Sequence, residues 1–201
     1  MGLILRSACA EADLADVAED IAEMRTLAEA VTADATGAPE LLLAGDGPHT
    51  LAWRDWIEPA QIESEAGSFD RLGVLDALDT LDGPVDLAGG GSMWVEPTRA
   101  LVAVDVNTGA DTSPAAGLRA NIAAVRDLPR QLRLRGLGGQ ISVDFAPMSK
   151  AHRKQVEQSL RASFKADPIE TSLVGWTPMG LFEMQRKRER PPFPKHLLKS
   201  I

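Results

Sequence analysis

Two acidic residues lie at the ends of apolar segments, where carboxylates can bind a metal ion. Asp105 closes the segment VAVD and Asp144 closes the segment ISVD. If these segments are neighbouring strands, about 4.8 Å apart, the two carboxylates converge at one sheet edge. Carboxylates that close repel each other unless a cation lies between them. Magnesium fits this pair, since it prefers oxygen ligands and is often held by one or two carboxylates.

Asn107 follows Asp105 by two residues. In an extended chain its amide points to the same side and could orient a water or a phosphate oxygen. The alternative is that acids at strand ends only begin the following turn, and Asn-Thr-Gly is a good turn sequence.

A basic stripe provides a second group of candidate functional residues. Four arginines recur at helical spacing, namely Arg119, Arg126, Arg130 and Arg133. Contact with phosphates is the functional interpretation, and a solvated helix face is the alternative. The same two interpretations apply to the run RKRER at 186–190.

The segments that carry the acids predict a strand–helix–strand unit. SMWVEPTRALVAVDV predicts two strands around a turn at Pro97 and Thr98, and the run from Ala100 to Val104 predicts a central strand buried on both faces. A helix from Ser113 to Arg135, kinked at Pro129, leads to a second buried strand at 140–145. Such a connection implies parallel strands.

The flanking segments predict a mixed α/β fold. Apolar residues from Leu14 to Val31 recur at helical spacing, and residues 40–44 and 49–54 predict two strands joined by a turn. A second helix is expected around Phe69 to Leu78, a third at 149–165 and a last strand at 181–188. The run GGGS at 89–92 predicts a loose connection before a new core.

Composition limits the class of protein. The 201 residues contain one cysteine, Cys9, so an internal disulfide and cysteine-based metal sites are excluded. The three histidines are scattered and do not form a zinc pattern. No apolar run is long enough to span a bilayer, which predicts a cytoplasmic protein with no membrane partner.

Charge divides the chain into two unlike halves. Residues 1–100 carry 5 basic and 20 acidic side chains, whereas residues 101–201 carry 16 and 9. The basic half predicts a surface for phosphates. The acidic half is expected to dock against a further domain or a protein partner.

Three motifs together resemble the catalytic region of the bacterial ribonuclease E/G family. They are TRALVAVDVNTG at 98–109, NIAAVRDLPRQLRLRGLGGQISVDF at 121–145 and GLFEMQRKR at 180–188. They occur in order at compatible spacing, and weaker similarity extends to GLILRS at 2–7 and QIES at 61–64.

The resemblance implies a deoxyribonuclease I-like catalytic region at 89–190. It would follow a small α+β sensor-like and partly ribonuclease H-like region at 1–88, and residues 191–201 would be a tail. It also implies magnesium-dependent hydrolysis of single-stranded RNA, with a 5′-phosphate left on the downstream product. By motif, Asp105 and Asp144 match the metal-binding carboxylates. Asn107 matches the residue that helps place the scissile phosphate or the attacking water.

The chain departs from the family pattern in several places. Similarity begins after the position of the family's oligonucleotide-binding barrel, so we expect weak activity in isolation. Nothing resembles the family's paired-cysteine zinc link, so zinc-dependent dimerisation is not expected. Arg6 and Ser7 match a remnant of the pocket for a 5′-monophosphate, but Pro178 replaces that pocket's other arginine. Sensing of the 5′ end is therefore expected to be weak or absent.

Two other functions remain open at this point. The chain could be a noncatalytic RNA-binding or assembly module on the same fold. Alternatively, the segment DVNTG could carry an aspartyl nucleophile at Asp105, as in some phosphatases.

Overall fold

The computed structural model describes residues 2–5, 7–55 and 60–194. The chain forms two compact units, residues 1–62 (unit one) and residues 63–201 (unit two). Within the described ranges, no helix combines the length and the apolar character that crossing a bilayer requires.

Unit one contains a 3-10 helix at Ser7–Ala10 and the helices α1 (Leu14–Ala33) and α2 (Pro48–Asp55). The predicted first helix is confirmed. Asp13 caps α1, because its carboxylate accepts a hydrogen bond from the backbone N–H of Ala15 at 2.7 Å. No residue of α1 is buried. The apolar periodicity therefore predicted the helix correctly, but its apolar side is not packed in a core.

The predicted hairpin over residues 40–54 is wrong. Residues 40–44 form no strand, and the second segment is helix α2. Pro48 suits the first turn of a helix. One turn on, Trp53 Nε1 donates to His49 Nε2 at 2.7 Å, a side-chain pair that helical spacing permits. Short apolar runs do not distinguish strand from helix.

Unit two begins with α3 (Ser68–Arg71), α4 (Val74–Asp79) and a 3-10 turn at Thr80–Asp82. The predicted second helix is therefore two short helices. Gly73 separates them in a left-handed conformation with φ of 67°, and this conformation interrupts the helix.

A six-stranded mixed sheet forms the centre of unit two. Its strands are β1 (Val85–Asp86), β2 (Ser92–Pro97), β3 (Val102–Asn107), β4 (Gly139–Asp144), β5 (Thr171–Trp176) and β6 (Phe182–Arg186). Their order across the sheet is β1-β2-β3-β4-β6-β5. Only β3 and β4 are parallel neighbours. The structure therefore has the predicted mixed α/β class.

Two helices, α5 (Pro114–Leu134) and α6 (Lys150–Lys165), pack on one face of the sheet. We call this side the covered face; its buried strand residues include Met93, Val95, Val102, Val104, Val106, Ile141, Val143, Phe182 and Met184. The opposite side, called the open face, carries Asp86, Ser92, Trp94, Glu96, Ala103, Asp105, Asn107, Gln140, Ser142, Asp144, Glu183 and Gln185. Burial alternates along β3 and β4. The prediction that β3 is buried on both faces is therefore wrong, since its alternate side chains are partly or fully exposed.

Helix α5 is the predicted crossover between β3 and β4. Ser113 caps it by accepting a hydrogen bond from the Ala116 N–H at 3.2 Å, and Gly136 follows its end with φ of 61°. The helix continues through the buried Pro129. The predicted helix at 149–165 and the last strand at 181–188 are also present, as α6 and β6.

The glycines at 89–91 form the turn of the β1–β2 hairpin and all have positive φ. Strand β1 therefore belongs to the sheet, and the expected boundary after residue 88 falls inside unit two.

Candidate active site

Asp105 and Asp144 lie opposite each other on the parallel strands β3 and β4. Their Cα atoms are register partners, and such strands lie about 4.8 Å apart. Both side chains are exposed on the open face. The strand–helix–strand unit thus brings the two carboxylates to one place, at the C-terminal ends of the strands.

Asn107 is hydrogen-bonded to one of these two carboxylates. Its Nδ2 donates a hydrogen bond to Asp105 Oδ2 at 2.7 Å. The two residues share a face because side chains alternate along a strand. The bond fixes the orientation of the Asp105 carboxylate and leaves the second amide hydrogen of Asn107 available to another acceptor.

The glycine turn closely approaches Asn107. A Cβ atom on Gly91 would lie 2.3 Å from the Asn107 carbonyl oxygen, and the φ of Gly91 is 92°. Side chains are excluded there by contact and by backbone conformation. Gly91 therefore allows the hairpin turn to pack against the end of β3.

The donor set suits a hard divalent cation. Asp105 and Asp144 supply anionic oxygens, and magnesium is often held by one or two carboxylates with water in its remaining positions. Among the described residues, no group of three or more His, Cys, Asp or Glu could hold a metal ion. The residues present therefore fit a cation with a small protein ligand set, not a closed structural metal site.

Asp111 lies in the loop between this site and α5. Hydrogen bonds from Ser113, the backbone N–H first, hold the pKa of its carboxyl below the ordinary value, and the Arg119 guanidinium adds to this effect. The hydrogen-bond donors of Asp111 are therefore the nearby residues Ser113 and Arg119, not residues of the carboxylate pair.

The arginine stripe lies on the other side of the sheet. The four arginines are exposed on α5, which packs on the covered face. Three of them form ion pairs with Asp111, Asp127 and Asp167, whereas Arg126 makes no ion pair or hydrogen bond with a described residue. Arg119 and Arg126 line a groove of about 690 Å³ with Leu118 and Ile122. The structure does not bring this stripe to the carboxylates.

The predicted remnant of a 5′-phosphate pocket lies largely outside the described residues. Arg6 is not described, and only the backbone of Ser7 is. Pro178 is exposed in the turn that joins β5 and β6.

The tryptophans differ in their surroundings. Trp176 packs at the core edge against Phe145 and Phe182, with Arg153 over its ring. Trp56 lies outside the described residues. Trp94 is 38% exposed, and its Cα is the register partner of Asp105. Sequence reasoning did not place Trp94 beside Asp105, because that placement requires the register of the β2–β3 hairpin.

The fold and the site define a mixed α/β protein with paired carboxylates at the ends of parallel strands. The chain belongs to the ribonuclease E/G family, whose sequence profile matches residues 54–189. That range contains both carboxylates, Asn107 and Trp94.

Individual ribonucleases G and E support the assignment to this family. Ribonuclease G of Salmonella typhimurium is 41% identical over 132 residues, covering 61% of this chain and 26% of that protein. Ribonuclease G of Haemophilus influenzae is 40% identical over 128 residues, with the same shares. Ribonuclease E of Nostoc sp. is 39% identical over 110 residues, covering 52% of this chain and 16% of that protein. The chain spans about a quarter of the length of the two ribonuclease G relatives.

Proposed function

We propose that this chain is an endoribonuclease domain that hydrolyses single-stranded RNA and leaves a 5′-phosphate on the downstream product. The observation that carries the proposal is the direct register of Asp105 and Asp144 on the open face. Both residues lie inside the range that matches the ribonuclease E/G family.

Magnesium is the proposed cofactor, with Asp105 and Asp144 as its protein ligands. Two exposed carboxylates on adjacent strands repel each other, and a cation between them removes that repulsion. When bound, a divalent cation polarises a phosphoryl oxygen and lowers the pKa of water.

Asn107 is proposed to position the scissile phosphate or the attacking water. One amide hydrogen is used by Asp105 Oδ2, and the other can be donated to a phosphate oxygen or to water. The exchange Asn107→Asp would replace this donor with an acceptor and add a negative charge beside two others.

The finer structural assignments are also proposals. We assign a deoxyribonuclease I-like catalytic region to residues 89–190 and sensor-like and ribonuclease H-like parts to residues 1–88. The central parallel pair with both helices on one face supports the first assignment. RNA phosphates are proposed to contact the α5 stripe at Arg126, where no acid of the described chain pairs with the guanidinium.

Cleavage of a fluorescent single-stranded RNA with and without magnesium tests the activity. Asp105→Asn and Asp144→Asn keep the side-chain shape but remove the charge, and each is expected to lower kcat by about 10³-fold. Glu96→Gln is the matched control, because Glu96 is an exposed carboxylate on the same face outside the pair. Its rate should equal that of the wild type.

Equal rates for the wild type and both aspartate variants would reject the proposal. Salt-sensitive RNA binding without magnesium-dependent turnover would favour the noncatalytic module instead. A covalent phosphoryl group trapped on Asp105 would favour the aspartyl nucleophile. Substrates with a 5′-phosphate or a 5′-hydroxyl are expected to be cleaved at equal or similar rates, since Pro178 falls where the resemblance to the family implies an arginine.

A further inference from the structure

Trp94 lies in one row with the two candidate metal ligands. Trp94 on β2 is the register partner of Asp105 on β3, which is the register partner of Asp144 on β4. Directly opposed side chains on neighbouring strands have Cβ atoms about 4.5–5.5 Å apart. Trp94 is therefore the direct cross-strand neighbour of Asp105.

The packing of β2 does not explain a tryptophan at this position. The covered-face neighbours Met93 and Val95 are 0% and 7% exposed and supply the contact of this strand with the core. Trp94 makes no hydrogen bond or ring contact with another described residue, and its ring stays partly in water. A large aromatic side chain normally buries 150–250 Å², so this ring has surface left for a ligand.

The charges of the open face also point to stacking. Among the described strand residues, the charged side chains of this face are all carboxylates, namely Asp86, Glu96, Asp105, Asp144 and Glu183. This part of the sheet therefore offers a polyanion no ionic attraction of its own. Stacking of a nucleobase on an aromatic ring does not depend on charge and tolerates any base.

We propose that Trp94 is a nucleobase subsite, on which the base next to the scissile phosphate stacks. The proposal rests on the proposed endoribonuclease function and adds a group that holds the substrate by a base instead of by phosphate. Stacking at this position would hold the adjacent phosphodiester over the carboxylates. Because every base has a flat face, the subsite would impose little preference among bases.

Steady-state cleavage of single-stranded RNA separates binding from chemistry. Trp94→Ala is expected to raise KM by about 5- to 150-fold, the usual range for one lost base stack, with a smaller effect on kcat. Trp94→Phe should restore KM to within a few-fold of the wild type, because it keeps an aromatic face. Trp53→Ala is the matched control, since Trp53 is 45% exposed but belongs to unit one, and it should leave KM unchanged.

A substrate that lacks one base gives the decisive comparison. Removing the base beside the cleaved bond should raise the KM of the wild type and add no further penalty in Trp94→Ala. Equal KM values for Trp94→Ala and the wild type on intact RNA would overturn the proposal while leaving the nuclease function intact. A lowered melting temperature in Trp94→Ala with unchanged KM would show a packing residue and would also overturn it.

Fluorescence tests the subsite without requiring turnover. A short oligouridylate added without magnesium should quench the emission of the wild type more than that of Trp94→Phe, and an abasic oligomer should not quench it. If the wild type shows this quenching but never cleaves RNA, the proposed function fails and the base subsite stands. Identical quenching of the wild type and Trp94→Phe would overturn the subsite.

Discussion

The acidic residues Asp167 and the pair Asp105 and Asp144, all in unit two, lie in different surroundings. Asp167 has a fully buried side chain that forms ion pairs with Arg133 and with Arg186, the latter at 2.5 Å. Asp105 and Asp144 are exposed, and no lysine or arginine of the described chain forms an ion pair with them. The comparison separates a carboxylate that is paired within the chain from an exposed pair, for which we propose a cation from outside.

Removing the buried carboxylate gives the largest expected effect on stability. Asp167→Ala would leave Arg186 buried without its counterion and is expected to cost about 3–5 kcal/mol of unfolding free energy. Urea denaturation of the full chain measures this cost. Glu157→Ala removes a partly exposed carboxylate that is paired to the exposed Arg161 one helical turn away, and it should cost only about 0.3–0.5 kcal/mol. Similar losses of unfolding free energy in the two variants would show that burial of a paired carboxylate does not determine its contribution to stability.

A substitution at the glycine turn is expected to disturb Asp105 through Asn107, which the turn contacts. Gly91→Ala would place a Cβ 2.3 Å from the Asn107 carbonyl oxygen and strain a backbone with φ of 92°. We expect a loss of about 1–3 kcal/mol and a fall in kcat, because Asn107 must shift. Thermal unfolding and cleavage assays measure both quantities. Gly89→Ala is the control for the clash, since its φ is also positive but a Cβ there meets no atom within 4 Å; the same loss of kcat in both variants would contradict the clash.

Neutralising one member of the exposed pair should stabilise the protein. Like charges directly opposite on neighbouring strands are unfavourable by about 0.2–1 kcal/mol. Asp144→Asn should therefore raise the unfolding free energy by about that amount in metal-free buffer. Adding magnesium should raise the melting temperature of the wild type but not that of the variant. A variant that is less stable than the wild type without metal would argue against repulsion in the pair.

Asp111 is exposed like Asp105 and Asp144 but is paired within the chain like Asp167. Its replacement is expected to have the smallest effect on stability. Ser113 and Arg119 lower the pKa of Asp111 in the folded chain, so ionisation of this carboxyl favours folding. That contribution is present above the pKa of the unfolded chain, near the ordinary value of 3.8, and is lost as the pH falls through the folded pKa. Asp111→Asn should thus be less stable than the wild type at neutral pH, with the difference shrinking in acid. Denaturation at several pH values measures it, and a constant difference would contradict the assignment.

The sequence was most informative where patterns were long and regular. The crossover from Ser113 to Gly136 has a cap, an apolar stripe and a stop signal, and the structure has the helix between them. The two acid-terminated strands followed from the same reasoning, because a helix of that length joins parallel neighbours. Their exact register determines whether two side chains face one another, and that depends on tertiary pairing.

Other features carried weaker signals. Strand β5 escaped prediction because a register shift between Leu173 and Gly175 breaks the alternation that marks a strand. The apolar character of Ala103 suggested burial on both faces, whereas Ala103 is only partly buried and the next residues on that side of β3, Asp105 and Asn107, are exposed. The position of Trp94 beside Asp105 requires the register of the β2–β3 hairpin, which the turn sequence alone did not fix.

The buried Asn121 connects the helical layer to the end of β4. Its amide donates to the Ala146 carbonyl oxygen and accepts from the Ala146 N–H, both at 2.9 Å. Ala146 follows Asp144 by two residues, so a side chain inside the protein anchors the segment next to a solvent-facing acid. The proposed active site is thereby held in place from behind, and a substitution of Asn121 would disturb it without altering any residue that is proposed to contact RNA.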